Sequence, residues 1–120
     1  MTSSSSLTYV ESNGLQKLTT NSSKLSALGL PSSFKVLNHT INVKEIPSLP
    51  DMGRAGDYDA SLNEIRLFTE GVCDDVVIQT FYHELIHCFE DKANLAEIPS
   101  EEARCDIIGG MLAQYLDTKQ

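Results

Sequence analysis

A long stretch without helix breakers is the feature of this sequence that most limits its fold. No glycine or proline occurs between Val72 and Ile98, and apolar side chains recur there with the period of an amphipathic helix. Asp74 and Asp75 suit the positive first turn of such a helix. The sequence therefore predicts a helix of about 18 residues centred on Tyr82.

A second helix is predicted after Pro99. Ser100 is a typical N-cap, acidic residues fill the turn that follows, and we expect the helix to continue to Asp117. Gly109 and Gly110 each weaken a helix by about 1 kcal/mol, so we interpret them as places of close packing.

The residues before the first helix predict a small sheet. Apolar residues over 34–46 predict a strand that ends at Pro47. Polar and apolar residues alternate over 63–68, as they do in a half-buried strand. The interval 51–57 predicts a turn, and Tyr58 is a candidate for a third strand. The predicted fold is α+β, with a small antiparallel sheet packed on two helices.

The first 33 residues differ in composition from the rest. They contain 14 Ser or Thr and only three charged residues, which predicts an N-terminal extension at 1–33 and a domain at 34–120. Four leucines, Leu15, Leu18, Leu25 and Leu28, allow a short docked helix over about 14–29.

Charge and composition exclude several classes of function. Seventeen acidic residues against nine basic ones give a net charge of -8, which disfavours nucleic acid as a partner. No apolar run approaches the length of a membrane helix, and no signal peptide is recognisable, so we expect a cytoplasmic protein. The three cysteines have no C-x-x-C spacing, and we expect reduced thiols, with Cys88 and Cys105 as small core residues.

One motif on the first predicted helix carries chemistry. His83, Glu84 and His87 match H-E-x-x-H, in which two imidazoles one helical turn apart can reach one metal ion. The composition of this chain gives a chance match of only about 0.005. Glu84 lies about 100° around the helix from His83, where a carboxylate can hold a water beside the metal.

A zinc site of this kind needs a third protein ligand. The metzincin continuation would require Gly at 90 and His at 93, but the chain has Glu90 and Ala93, and no histidine follows His87. The remaining candidates are acidic residues. Glu102, which has Asp106 one turn later, Glu101 and Glu90 are the candidates, although Glu90 belongs to the same helix as the histidines.

H-E-x-x-H followed on the next helix by E-x-x-x-D at 102–106 resembles the gluzincin metallopeptidases. The chain is most similar to the ImmA/IrrE family and its small phage-encoded relatives, over about 34–116. It departs from that family in a short spacer between the two motifs and in Cys105, where a small Ala is frequent.

The resemblance implies a role for each motif residue. Zinc would be bound by His83, His87 and Glu102, with Glu84 as the general base and Asp106 supporting His83. The implied activity is hydrolysis of a protein or peptide substrate by a zinc-activated water.

Other interpretations remain open. The strand 63–68 would hold an extended substrate if it lies at the sheet edge. Oxyanion stabilisation has four unranked candidates, which are Tyr58, Tyr82, His39 and Arg66. The main alternative function is a binding module with a structural zinc, and a third is an amidohydrolase with a deep pocket.

Overall fold

Four strands and three α-helices are found within residues 23–47 and 53–120, which the computed structural model describes. The strands are β1 (Ser33–Val36), β2 (His39–Ile46), β3 (Gly56–Asp59) and β4 (Glu64–Phe68). The helices are α1 (Lys24–Ala27), α2 (Asp74–Ala93) and α3 (Glu101–Thr118), with a 3-10 turn at Leu95–Glu97. The α+β prediction is confirmed.

The sheet is mixed, which corrects the prediction of an antiparallel one. Its strand order is β1-β2-β4-β3, and β2 runs parallel to β4 while both outer pairs are antiparallel. The predicted strand 34–46 is two strands, because the chain reverses at Leu37 and Asn38. Of the predicted turn 51–57, residues 51 and 52 lie outside the described residues, and its last two residues belong to β3. The β3–β4 hairpin then returns β4 to the side of β2.

Both predicted helices are confirmed. α2 begins at Asp74 and ends before Asn94, whose left-handed backbone (φ 52°, ψ 50°) stops it. α3 begins after Ser100, whose hydroxyl accepts a hydrogen bond from the Ala103 N–H at 3.2 Å.

The two glycines inside α3 do not serve close packing, so that prediction is wrong. Gly109 and Gly110 are exposed, and a Cβ added to either would meet no atom within 4 Å. They lie on the solvent side of α3 and leave the helix less stable than alanine would.

A single core joins one face of the sheet to the helices. Buried and exposed residues alternate along β2, α2 packs against β3 and β4, and α3 packs against β1. Three aromatic rings meet at the centre, with Phe34 lying 6.2 Å from Phe81 and 5.0 Å from Tyr115 between centroids. α2 is therefore the helix that lies beneath the β3 edge.

The β1 edge of the sheet is covered by the end of the chain. The Gln114 side chain accepts from the Leu37 N–H at 2.6 Å and donates to the Leu37 carbonyl at 2.7 Å. The Thr118 hydroxyl accepts from the Lys35 N–H at 2.8 Å. Gln120 then pairs through its backbone with Ser32 and Ser33.

The remaining sequence predictions fall into three groups. Leu25 and Leu28 lie in and just after α1, which has four residues, whereas Leu15 and Leu18 lie outside the described residues. Cys88 is buried as expected, but Cys105 is exposed on α3 and is not a core residue. Among the helices in the described part of the chain, none combines the length and apolar character needed to cross a membrane.

Candidate metal centre and groove

The two motif histidines meet on the exposed side of α2. The Nε2 atoms of His83 and His87 are 3.2 Å apart, and the ring planes are inclined at 77°. Two Zn–N bonds of about 2.0–2.1 Å at a tetrahedral angle place their nitrogens about 3.3 Å apart. The histidine pair therefore has the separation of two zinc ligands, and its donor chemistry fits that metal.

Glu84 is turned from the histidines towards the sheet. Its side chain is 7% exposed, one of the two buried polar residues in the described parts of the chain. It borders a groove of about 490 Å³ between α2 and β3, which His87 also borders. A carboxylate that opens onto a groove beside two exposed imidazoles is in position to handle a proton there.

The strand that borders this groove is β3, not the strand predicted from the sequence. The predicted strand 63–68 corresponds to β4, which lies inside the sheet between β2 and β3. β3 forms the outer edge, and Gly56 and Tyr58 line the groove from it.

The hydrogen-bond register shows which backbone groups this edge offers. The Phe68 N–H donates to the Ala55 carbonyl at 2.8 Å, so Ala55 and Phe68 form a hydrogen-bonded pair. Such pairs alternate along an antiparallel ladder, and Asp57 is therefore the next β3 residue bonded to β4. The N–H and C=O groups of Gly56 and Tyr58 consequently point away from β4, towards an edge at which no further strand of the described residues pairs with β3.

Gly56 allows β3 to lie close to its neighbours. An added Cβ would lie 2.7 Å from the Arg66 carbonyl oxygen and 2.8 Å from Cγ2 of Thr80. A backbone oxygen cannot move away as a flexible side chain can. Only glycine fits the strand between β4 and α2 at this point.

Tyr58 is the one oxyanion candidate of the four that lines the groove. Its hydroxyl donates to Oδ2 of Asp91 at 2.8 Å. Burial, together with this hydrogen bond, raises the pKa of Tyr58 far above its usual 10.0. The Tyr58 hydroxyl thus donates its proton to a residue of α2, and this hydrogen bond links β3 to the helix.

Burial also makes the neighbouring thiol of Cys88 unreactive. Cys88 is fully buried beside Tyr58, and burial raises the pKa of its thiol to about 11. A thiol with such a pKa stays protonated at neutral pH and is a poor nucleophile.

The acidic residues predicted on α3 lie on its exposed face. Glu102 lies nine residues before the buried Met111, and Asp106 lies nine before the buried Tyr115. Nine residues make two and a half helical turns, about 900°, so both carboxylates lie on the outward face of α3. Both are exposed.

Glu101 occupies a different side of α3. It lies seven residues, about two turns, before Ile108, which lines a cavity together with Glu90 of α2. Glu101 therefore shares the α2-facing side of the helix. Within residues 23–47 and 53–120 no three His, Cys, Asp or Glu side chains converge as metal ligands, so the third ligand stays a prediction.

Glu90 and His83 lie on opposite sides of the His87 ring. One of its carboxylate oxygens is 3.8 Å from Nδ1 of His87, whereas Nε2 of that ring faces His83. A metal-binding imidazole usually directs its second nitrogen to a carboxylate. This position suits Glu90 as a support for His87 and not as a ligand.

No protein-family model matches the chain, and neither a similar curated protein nor a similar solved structure was found. The site is therefore defined by its own geometry.

Sequence reasoning missed several contributors to the groove, among them Gly56, Arg54 and Asp91. For Gly56 the sequence predicts only a turn. Asp91 carried one usable signal, since it lies seven residues after Glu84 and so on the same side of the helix.

Proposed function

We propose that this protein is a zinc-dependent peptidase whose reaction takes place in the groove between α2 and β3. The observation that carries the proposal is the 3.2 Å separation of the His83 and His87 Nε2 atoms beside the buried Glu84. Bound zinc supplies Lewis acidity and lowers the pKa of a coordinated water.

The residues of the chain supply the remaining chemistry. Glu84 takes a proton from the attacking water and delivers it to the leaving amine, which requires a carboxylate that faces the groove. The histidines hold the metal, and Glu102, as the sequence resemblance implies, would complete the ligand set, with Asp106 supporting His83.

The open edge of β3 supports an extended peptide as the substrate. The outward N–H and C=O groups of Gly56 and Tyr58 can add one more strand to the sheet. Main-chain pairing of this kind would hold a peptide bond over Glu84. The same edge would serve a binding module with a structural zinc, which is the second candidate function.

Glu84→Gln separates these two functions. Gln keeps the size of the side chain but cannot accept the proton, so we expect unchanged zinc content and thermal stability, with hydrolysis reduced about 10²–10⁴-fold. His83→Ala, measured in the same preparation, should lose zinc. Full activity in zinc-loaded, folded Glu84→Gln protein would contradict the peptidase and leave the binding module.

The third ligand is tested by a matched pair on α3. Glu102→Gln should weaken zinc affinity, and Asp106→Asn should weaken it by about 10–100-fold, if the start of α3 turns towards the histidines when metal binds. Glu101→Gln is the control. A loss of zinc in Glu101→Gln together with full affinity in Glu102→Gln would assign the ligand to Glu101.

A further inference from the structure

The groove has a direction, because β3 and α2 run the same way along it. At the start of β3, Gly56 approaches Thr80 of α2. Two residues later along the strand, the Tyr58 hydroxyl binds Asp91, which lies further along α2. Arg54 precedes β3 and therefore borders the Thr80 end. Glu84 lies between the two ends of the groove. The cation Arg54 lies towards one end, and the carboxylate of Asp91 lies towards the other.

Arg54 is held loosely in this groove. Arg66 already donates to both carboxylate oxygens of Asp57, from Nε at 2.8 Å and from Nη2 at 3.1 Å. Arg54 adds one contact to Asp57 at 3.5 Å, and its side chain is 50% exposed. Since Arg66 satisfies Asp57, the guanidinium of Arg54 keeps its donors for another acceptor.

Two other basic residues, Lys24 and Arg104, are bound more closely to the protein. Lys24 binds the Val72 carbonyl at 2.9 Å and Asp74 at 3.2 Å. Arg104 donates to the Ile98 carbonyl at 2.6 Å. Arg54 thus combines a position in the groove with a half-exposed guanidinium whose one contact among the described residues is to Asp57.

We propose that Arg54 determines specificity by binding a carboxylate of the peptide that pairs with β3, on the C-terminal side of the cleaved bond. The inference rests on the proposed peptidase function. Antiparallel pairing, the more stable arrangement, carries a peptide past Glu84 with its C-terminal part towards Gly56 and Arg54. A guanidinium fork is suited to bind a carboxylate there.

The carboxylate can belong to an acidic side chain or to the end of a peptide, and two probes distinguish these sources. One is a library of short degenerate peptides with acetylated and amidated ends, and the other is a library that lacks Asp and Glu but ends in a free carboxylate. Both are bound to full-length, zinc-loaded Glu84→Gln protein, and the retained peptides are sequenced.

We expect the retained peptides to carry a carboxylate C-terminal to the segment that pairs with β3. Adding Arg54→Ala should weaken their binding about tenfold, the size of one charge-assisted hydrogen bond. Adding Arg54→Glu should shift the preference to Lys and Arg. Lys44→Ala is the control, since it removes one charge from an exposed strand residue that pairs with Glu64 outside the groove.

Three results would overturn the inference: no preference for a carboxylate, the same preference after Arg54→Ala, or a carboxylate on the N-terminal side. The peptidase proposal fails separately. If wild-type protein binds these peptides through Arg54 but leaves them uncleaved, the specificity stands and the hydrolysis does not.

Discussion

The two edges of the sheet are treated in opposite ways. At the β1 edge, Gln114 and Thr118 satisfy outward backbone groups of Leu37 and Lys35. At the β3 edge, the corresponding groups of Gly56 and Tyr58 face the groove that Glu84 borders.

This difference bears on the proposal that a peptide pairs with β3. An open strand edge invites association with other chains, and proteins usually cover or blunt it. Here one edge is covered by the chain itself, while no backbone pairing on the outer side of β3, next to the candidate chemistry, is found within residues 23–47 and 53–120. Of the two edges, the β3 edge is therefore the one that is consistent with the proposed binding of a peptide.

Gly56→Ala should disturb the open edge most strongly. The new methyl group would lie 2.7 Å from the Arg66 carbonyl oxygen, and such overpacking costs about 1–3 kcal/mol of unfolding free energy. Urea denaturation measures the loss. Gly109→Ala is the control, since its methyl meets no atom within 4 Å and should stabilise α3 by up to about 1 kcal/mol. Equal effects of the two changes would contradict the close approach at β3.

Gln114→Ala should open the covered edge. It removes two hydrogen bonds to Leu37, and we expect a loss of about 1–2 kcal/mol together with concentration-dependent self-association. Denaturation and light scattering report these two effects. Gln79→Ala on the exposed side of α2 should change neither. A monomeric, fully stable Gln114→Ala protein would show that the cover is dispensable.

Alkaline pH should weaken the tyrosine contacts beneath both edges. Burial raises the pKa values of Tyr58 and Tyr115 above their usual 10.0, so the stability they contribute is complete below pH 10 and is lost as the pH rises. Above pH 10 the buried Tyr115 should cost about 1.4 kcal/mol per pH unit. Denaturation at a series of pH values tests this. Tyr115→Phe should reduce the slope, and an unchanged slope would contradict the assignment.

Tyr58→Phe should have the smallest effect, because it removes one partly exposed hydrogen bond to Asp91. We expect a loss of about 0.5–1 kcal/mol. A double-mutant cycle with Asp91→Ala isolates the pair, and a coupling energy of zero would show that this contact does not hold β3 on α2.

The parts of the fold that depend on local sequence were predictable. The bounds of α2 and α3 follow from apolar period, the Ser100 cap and the Pro99 break, all within a few residues of each helix. The His83–His87 pair is equally local, because one helical turn fixes its spacing.

The parts of the fold that depend on packing between helices and strands could not be predicted from the sequence. The reversal at Leu37 has no glycine to mark it, although its φ of 56° is a conformation that usually takes one. The close approach of β3 to Thr80 of α2 requires the missing side chain of Gly56. The direction in which Glu102 points depends on how α3 rotates against β1 and α2, which residue spacing alone does not determine.

The strained reversal at Leu37 also bears on the order of folding. A leucine at positive φ gives the β1–β2 hairpin little tendency to close by itself. Its backbone is held by Gln114, 77 residues later in the chain. We therefore expect this hairpin to form late, after α3 has docked. β1 and β2 are adjacent in sequence, but their pairing would then require a contact between residues that are far apart in the chain.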